Sequence, residues 1–269
     1  MSKYIAVAKI HFKAQLAYRF EVMMTALSTI WRVVFAWILW GAIFAARDEV
    51  GGFTHQAMLS YYLISSFFAT MDVSGGVSGG MCGEICGRIK DGTFSKFMVI
   101  PSNPQLHFLS QTLGSSAYYG LFALLAAVVS AFIFRINPSI TTDPAAILLA
   151  VSMFLLGIVF MNGYQFFLGI WAFKLQDTLF LTHLLTDVVY FLKGEMIPLS
   201  LLPAVFERAL RFLPFTHTLY TPAMLLIGKL DVYEGLLRFT VLAVWTFGIM
   251  VVSQIVYGRL RRKYEGVGI

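Results

Sequence analysis

The sequence predicts an all-α integral membrane protein that forms a single transmembrane domain over residues 1–269. Hydrophobic residues make up 58% of the chain and charged residues 13%, whereas about 25% of the residues of an ordinary soluble domain are charged. The mean hydropathy is +0.76. This composition excludes a soluble enzyme and a nucleic-acid-binding domain as the main interpretation. We therefore expect membrane lipid, and no nucleic acid, around the chain.

Six apolar segments predict six transmembrane helices. A helix needs roughly 20 residues to cross about 30 Å of hydrocarbon, and helix is the state that satisfies the backbone where no water is available. The fifth segment is interrupted by Asp187, Lys193 and Glu195. The segments are 22–46, 57–81, 106–134, 145–173, 178–197 and 233–257.

Residues 1–21, before the first span, are predicted to contain a helix that lies in the membrane interface. Lys9 and Lys13 are one turn apart on one side of this helix. The apolar residues on another side are Ile5, Phe12, Leu16 and Phe20. An apolar face beside a basic face is typical of interfacial helices. A charged cytoplasmic lead-in is the alternative.

The distribution of Lys and Arg predicts that both termini face the cytoplasm. Basic residues are frequent in the N-terminal segment, in the 82–105 connection and in the tail. The loops at 47–56 and 135–144 contain one Arg each. Because cytoplasmic loops retain Lys and Arg, the basic side is the cytoplasmic side.

The connection over residues 198–228 is apolar but carries four prolines, Pro198, Pro203, Pro214 and Pro222. Proline ends or kinks a helix. We therefore expect short re-entrant or surface helices on the outer face of the membrane, and no seventh span.

Glycines recur every four residues at the end of the second predicted span, at Gly75, Gly79, Gly83 and Gly87. Small residues at this spacing allow two membrane helices to approach closely. The pattern fits a contact at a subunit interface and, equally, a contact within the chain.

Residues 84–100 have the pattern of a short amphipathic helix on the membrane surface, which Gly92 and Thr93 split into two short pieces. Charged and apolar residues alternate in this segment, and Pro101 follows it. The charged residues are Glu84, Arg88, Lys90, Asp91 and Lys96, and the apolar ones are Ile85, Ile89, Phe94, Phe97 and Met98. Such a helix offers a docking site to a soluble partner; a solvated loop is the alternative.

The segment EICGRIKDGTFSKFMVIPSNP resembles the signature that follows the second span in type 2 ABC exporter permeases, the ABC-2 group. In that signature an acidic residue precedes an Ile, a Gly, an apolar pair and a Pro. The residues at these places are Glu84, Ile85, Gly92, Thr93, Phe94, Phe97, Met98 and Pro101. The order of parts along the whole chain is also similar to that of the bacterial six-span half-permeases.

The resemblance implies the membrane subunit of an ATP-driven exporter in the bacterial cytoplasmic membrane. Such permeases pair as dimers and couple to separate ATP-binding subunits, and the subfamily favours a heterodimer over a homodimer. Segment 84–100 would be the coupling helix that sits in a cleft of the ATPase. The residues implied in coupling are Glu84, Ile85, Arg88, Ile89, Asp91, Gly92, Thr93, Phe94 and Phe97.

The sequence has no phosphate-binding loop of the form G-x-x-x-x-G-K-[ST]. Its one Gly-Lys pair, Gly228-Lys229, is followed by Leu230. We therefore expect that the chain is not an enzyme and holds no cofactor, and that a partner subunit binds ATP and Mg²⁺. A zinc site normally needs four ligands, and Cys82 and Cys86 would supply only two of them, so we expect no metal.

Polar residues inside the predicted spans are the remaining candidates for function. Arg32, Asp72 and Asp187 fall at similar depths, so Arg32 is expected to pair with Asp187 or with Asp72, as a gate or as a static ion pair. Lys193 and Glu195 are candidates for a local salt bridge or for a gate element. In the fourth span, Asn162 and Gln165 share one face; they are candidates for contact with substrate or with another helix.

The substrate expected for such a permease is hydrophobic or amphiphilic and moves outward. A secondary transporter or channel that works alone is the alternative, although no two matching halves are visible. An intramembrane enzyme is a third class, but the chain shows no nucleophile or metal set beside its intramembrane charges.

Overall fold

The computed structural model describes residues 2–75, 80–100, 102–175 and 179–263. Within these ranges the chain forms helices and turns, and no strand longer than an isolated bridge between Val50 and Phe53. The α-helices in chain order are α1 (Ser2–Ala14), α2 (Arg19–Phe44), α3 (His55–Met71), α4 (Gly80–Lys90), α5 (Lys96–Val99), α6 (Pro104–Ile133), α7 (Pro144–Gly169), α8 (Leu179–Leu192), α9 (Ala204–Leu210), α10 (Tyr220–Leu226) and α11 (Val232–Leu260). The all-α class is confirmed.

Four helices in the described ranges are long and apolar enough to cross a membrane: α2, α6, α11, and α7 with its 3-10 extension to Phe173. Helix α3 has 17 residues and α8 has 14, so they are about 25 Å and 21 Å long at 1.5 Å per residue. The six-span count therefore stays a prediction.

Side-chain caps explain where three of the four long helices begin, namely α6, α7 and α11. The Asn103 side chain accepts hydrogen bonds from the first turn of α6, and Asp143 accepts one from Ala145 N at the start of α7. Asp231 does the same for α11. In α6 and α7 a proline occupies the first helical position, where no backbone N–H is needed.

The prediction of one helix over 57–81 was wrong, because α3 ends at Met71. The Asp72 carboxylate accepts hydrogen bonds from the backbone N–H and the hydroxyl of Ser74, and such local bonds compete with the helical ladder. A 3-10 turn over Val73–Gly75 follows, and α4 is a separate helix that begins at Gly80.

The fifth predicted span, 178–197, also ends early, at Leu192. The N–H of Glu195 donates to the carbonyl of Tyr190, and the N–H of Gly194 donates to that of Phe191. Gly194 has a φ of +75°. This combination is the Schellman helix end, in which a left-handed glycine closes the last turn.

Helix α7 is the centre of the bundle and contacts α4, α6, α10 and α11. Phe68 of α3 and Phe154 of α7 stack with their ring centroids 4.3 Å apart. Segment 198–228 forms short helical turns, as its prolines predict, and α10 in this segment packs on α3 and α7. The side of the membrane on which it lies stays a prediction.

Helix α1 covers only part of the segment 1–21 that was predicted to contain an interfacial helix, and it packs along α6. A Cβ atom at Gly114 of α6 would lie 2.1 Å from the Ala8 carbonyl oxygen, so the two backbones are in contact. The Phe12 ring meets Tyr118 edge-on, whereas Ile5 and Leu16 are exposed.

Candidate functional site

One face of α2 carries a row of polar residues that the sequence interpretation overlooked. Glu21, Thr25, Ser28 and Arg32 are spaced by four, three and four residues, so they share one side of the helix. The hydroxyls of Thr25 and Ser28 donate to carbonyls of their own helix. This row was a readable signal, because a polar stripe on an otherwise apolar helix marks the side that faces protein or water.

The polar row of α2 lines a cavity of about 670 Å³, here called the central cavity. Its opposite wall is a second polar row on α6, formed by Gln111, Thr112, Ser115 and Tyr119. The cavity extends from Gln15 and Glu84 at one end to Arg32, Asp72, Lys193 and Glu195 at the other. Pockets that hold small organic ligands measure about 300–1,000 Å³, so the central cavity is large enough for one.

Arg32 forms an ion pair with Glu195, with 2.7 Å between Nη1 and Oε1. The expected pairing of Arg32 with Asp187 or Asp72 was therefore wrong. Asp187 is exposed on α8, on the side of the helix that also exposes Leu184 and Val188. Glu195 reaches Arg32 because the Schellman end of α8 brings it to the central cavity.

Lys193 forms a second ion pair, with Asp72, at 2.6 Å between Nζ and Oδ2. Both side chains are buried, with 6% and 10% exposure. Lys193 and Glu195 thus do not form the local salt bridge expected from their spacing. An unpaired charge at this depth would be costly, so the pair holds the end of α3 against the end of α8.

The turn over residues 193–196 is held in place by α3. The hydroxyl of Tyr61 donates to the carbonyl of Gly194 at 2.5 Å, and that of Tyr62 donates to the carbonyl of Met196 at 2.8 Å. Two ion pairs and two hydrogen bonds therefore fix this turn as the end wall of the central cavity.

The four apolar residues predicted to couple, Ile85, Ile89, Phe94 and Phe97, are buried. Phe94 lies against Phe97 and Phe173, with ring centroids 5.2 and 5.3 Å apart, and faces Tyr257 of α11 at 6.3 Å. These side chains form the base on which the segment rests. The side chains left exposed in this segment include Asp91, Thr93 and Lys96.

Segment 84–100 is a broken helix: α4 ends at Lys90, Gly92 takes a φ of +70°, and a 3-10 turn leads into α5. Glu84 pairs with Arg88 at 2.7 Å and accepts a hydrogen bond from Gln111 Nε2 at 2.9 Å. Because Glu84 and Gln111 both line the central cavity, this bond connects the exposed segment with the cavity wall.

The predicted glycine row is interrupted in the structure. Gly75 belongs to the 3-10 turn, Gly83 and Gly87 belong to α4, and Gly79 lies outside the described residues. A Cβ atom at Gly87 would meet nothing within 4 Å. Gly87 therefore makes no close contact within the described part of the chain.

Asn162 and Gln165 are buried on α7. The Asn162 amide donates to the Thr112 hydroxyl at 2.9 Å, which favours the interpretation as a contact between helices. In the described part of the chain, Asn162 Oδ1 and Gln165 Oε1 have no hydrogen-bond partner.

A family model described as "ABC-2 family transporter protein" matches residues 20–268, which is nearly the whole chain. No curated protein matches the sequence.

Proposed function

The chain belongs to the ABC-2 transporter family, and we propose that it is the permease subunit of an ATP-driven exporter. The exporter would move a hydrophobic or amphiphilic substrate outward across the bacterial cytoplasmic membrane. The family match carries this proposal, since it covers all four long apolar helices together with segment 84–100. The central cavity, which is polar along two facing helices, supports it.

In the proposed topology α3 and α8 count as short crossings, which gives six spans and places both termini in the cytoplasm. Four long helices alone would also place both termini on one side. The buried ion pair between Asp72 at the end of α3 and Lys193 after α8 supports counting these two helices together as a further pair of crossings. Segment 84–100 would face the cytoplasm, in agreement with the basic residues that it carries.

Segment 84–100 is the proposed contact with an ATP-binding subunit, which would bind ATP and Mg²⁺ and perform the hydrolysis. The exposed Asp91, Thr93 and Lys96 would meet the partner, and the buried Phe94 and Phe97 would pass its motion to α6 and α11. The hydrogen bond from Gln111 to Glu84 would carry the same motion to the central cavity.

A pull-down tests the proposal. The tagged full-length chain is purified from its native membrane in mild detergent, with cross-linking, and the proteins that accompany it are identified by mass spectrometry. We expect an ATP-binding protein and a second permease; the ATP-binding protein alone would indicate a homodimer. Recovery of neither would contradict the proposal and favour a transporter or channel that works alone.

Charge reversal tests the contact surface. Asp91→Lys and Lys96→Glu should reduce recovery of the ATP-binding protein and the ATPase activity of the purified complex. Arg208→Glu is the matched control, because Arg208 is exposed on α9, away from segment 84–100. Equal losses in the control and in the two test variants would count against this contact surface.

A further inference from the structure

The Arg32 guanidinium is only partly used by its ion pair. A guanidinium has five N–H donors, and within the described residues the one hydrogen bond that Arg32 makes is from Nη1 to Glu195. The Arg32 side chain is 39% exposed and lines the central cavity, whereas the side chain of Glu195 is 16% exposed. Donors of Arg32 are therefore available to a molecule in the cavity.

Lys193, the other basic residue of the central cavity, is not available in the same way. Its side chain is 6% exposed and its ammonium group is in contact with Asp72. The acidic Glu21 lies 11 residues before Arg32 on α2, about 16 Å along the helix axis. Positive charge accessible to a ligand is therefore concentrated at Arg32.

The walls of the central cavity suit a molecule with one charged group and an apolar body. Met24, Met81 and Phe108 line the cavity beside the two polar rows. A guanidinium matches the geometry of a carboxylate or phosphate group and binds either through two parallel hydrogen bonds.

We propose that Arg32 is the anion-binding residue of the central cavity, and that the transported molecule is an amphiphile whose carboxylate or phosphate group takes the place of Glu195. That this molecule is transported rests on the proposed function, whereas its binding to Arg32 is independent of that function. Glu195 is then a competitor that occupies Arg32 while the cavity is empty. Release of Glu195 would also loosen the turn over residues 193–196 that forms the end wall.

Equilibrium binding to the purified full-length chain in neutral detergent tests the proposal. The probes are three amphiphiles with the same dodecyl chain and fluorophore, ending in phosphate, carboxylate or trimethylammonium, and fluorescence anisotropy reports binding. The wild-type chain should bind one or both anionic probes about tenfold more tightly than the cationic probe. The stronger of the two anionic probes identifies the group.

Variants of the ion pair separate anion binding from stability. Arg32→Gln should abolish the preference for the anionic probe. The double variant Arg32→Gln/Glu195→Gln should also abolish it, without leaving a carboxylate unpaired. Glu195→Gln should tighten binding of the anionic probe several-fold, because the competitor is removed, and a purely structural role of the pair would not produce this gain.

Glu21→Gln is the matched control for net charge, since it removes a carboxylate from the same cavity but not from Arg32, and it should have a smaller effect. Arg47→Gln, on an exposed loop, should have none. Equal binding of all probes to the wild-type chain, or weaker anion binding by Glu195→Gln, would overturn the inference. These binding assays need no ATPase. An ATP-binding partner can therefore be found while anion binding at Arg32 fails, and anion binding at Arg32 can be found while no ATP-binding partner is recovered.

Discussion

Arg32 and Glu195 are 163 positions apart in the chain, and their side chains meet at 2.7 Å at one end of the central cavity. Arg32 belongs to a long apolar helix, whereas Glu195 belongs to the turn after a short one. The pair therefore connects the first long helix with the turn that closes the cavity. A change in the conformation of this turn necessarily changes the environment of Arg32.

Asp72→Asn is expected to destabilise the protein by about 3–5 kcal/mol, because it leaves the buried ammonium group of Lys193 without its partner. The measurement is thermal unfolding of the purified chain in detergent. Asp72→Asn/Lys193→Met removes both charges and should recover much of the loss. If Asp72→Asn alone is as stable as the wild type, the buried pair does not hold α3 and α8 together.

Gly114→Ala is expected to displace α1 from α6, since the new methyl group would lie 2.1 Å from the Ala8 carbonyl oxygen. Overpacking of this kind costs about 1–3 kcal/mol. Faster tryptic cleavage at Lys9 and Lys13 would report the displacement. Gly41→Ala in α2 is the control, because a Cβ atom there meets nothing within 4 Å; comparable cleavage of both variants would contradict the prediction.

His217 is expected to make stability depend on pH. Burial is the main reason that the pKa of His217 is lowered to about 4. The hydrogen bond to the Arg211 carbonyl acts to raise this pKa, and the nearby charge of Arg238 acts to lower it. His217 Nε2–H donates to the Arg211 carbonyl, and in the neutral ring Nδ1 accepts from Thr221. Because the unfolded chain takes up a proton near pH 6.5 and the folded chain does not, the free energy of unfolding should fall as the pH drops from about 6.5 to 4.

The expected full effect of His217 is about 3 kcal/mol, at roughly 1.4 kcal/mol for each unit of pKa difference. Thermal unfolding across this pH range measures it. His217→Gln retains an amide donor for the Arg211 carbonyl but does not titrate, so its midpoint should vary less with pH. An equal pH dependence in both proteins would show that other groups are responsible.

Phe94→Ala is expected to destabilise the protein by about 3–5 kcal/mol, because the ring is fully buried against α11 and the end of α7. Since the exposed residues of segment 84–100 rest on this ring, recovery of the ATP-binding partner should fall as well. Thr93→Ala changes an exposed neighbour and should leave the unfolding midpoint within about 0.5 kcal/mol of wild type. A stable Phe94→Ala chain would mean that the segment is held by other contacts.

The starts of α6 and α7 could be predicted from the sequence because local chemistry decides them. The Asn103-Pro104 and Asp143-Pro144 pairs combine a cap with a proline suited to the first turn, and the helices begin within two residues of the predicted spans. The stops at Met71 and Leu192 were missed, although Asp72 and Gly194 are recognisable breakers. Both stops were missed because apolar residues continue past them, so that hydropathy alone predicts a longer helix in each segment.

The sequence by itself determined the membrane environment, the all-α class and the family, because composition and the order of apolar segments are sufficient for these. Only the tertiary structure decided which charges pair. Arg32 had several acidic residues at compatible depths, and the choice among them depends on the rotation of α8 and on the turn at Gly194, which no spacing encodes. The same holds for the central cavity: the polar row of α2 is visible in the sequence, but its apposition to α6 arises from packing between residues about 80 to 100 positions apart.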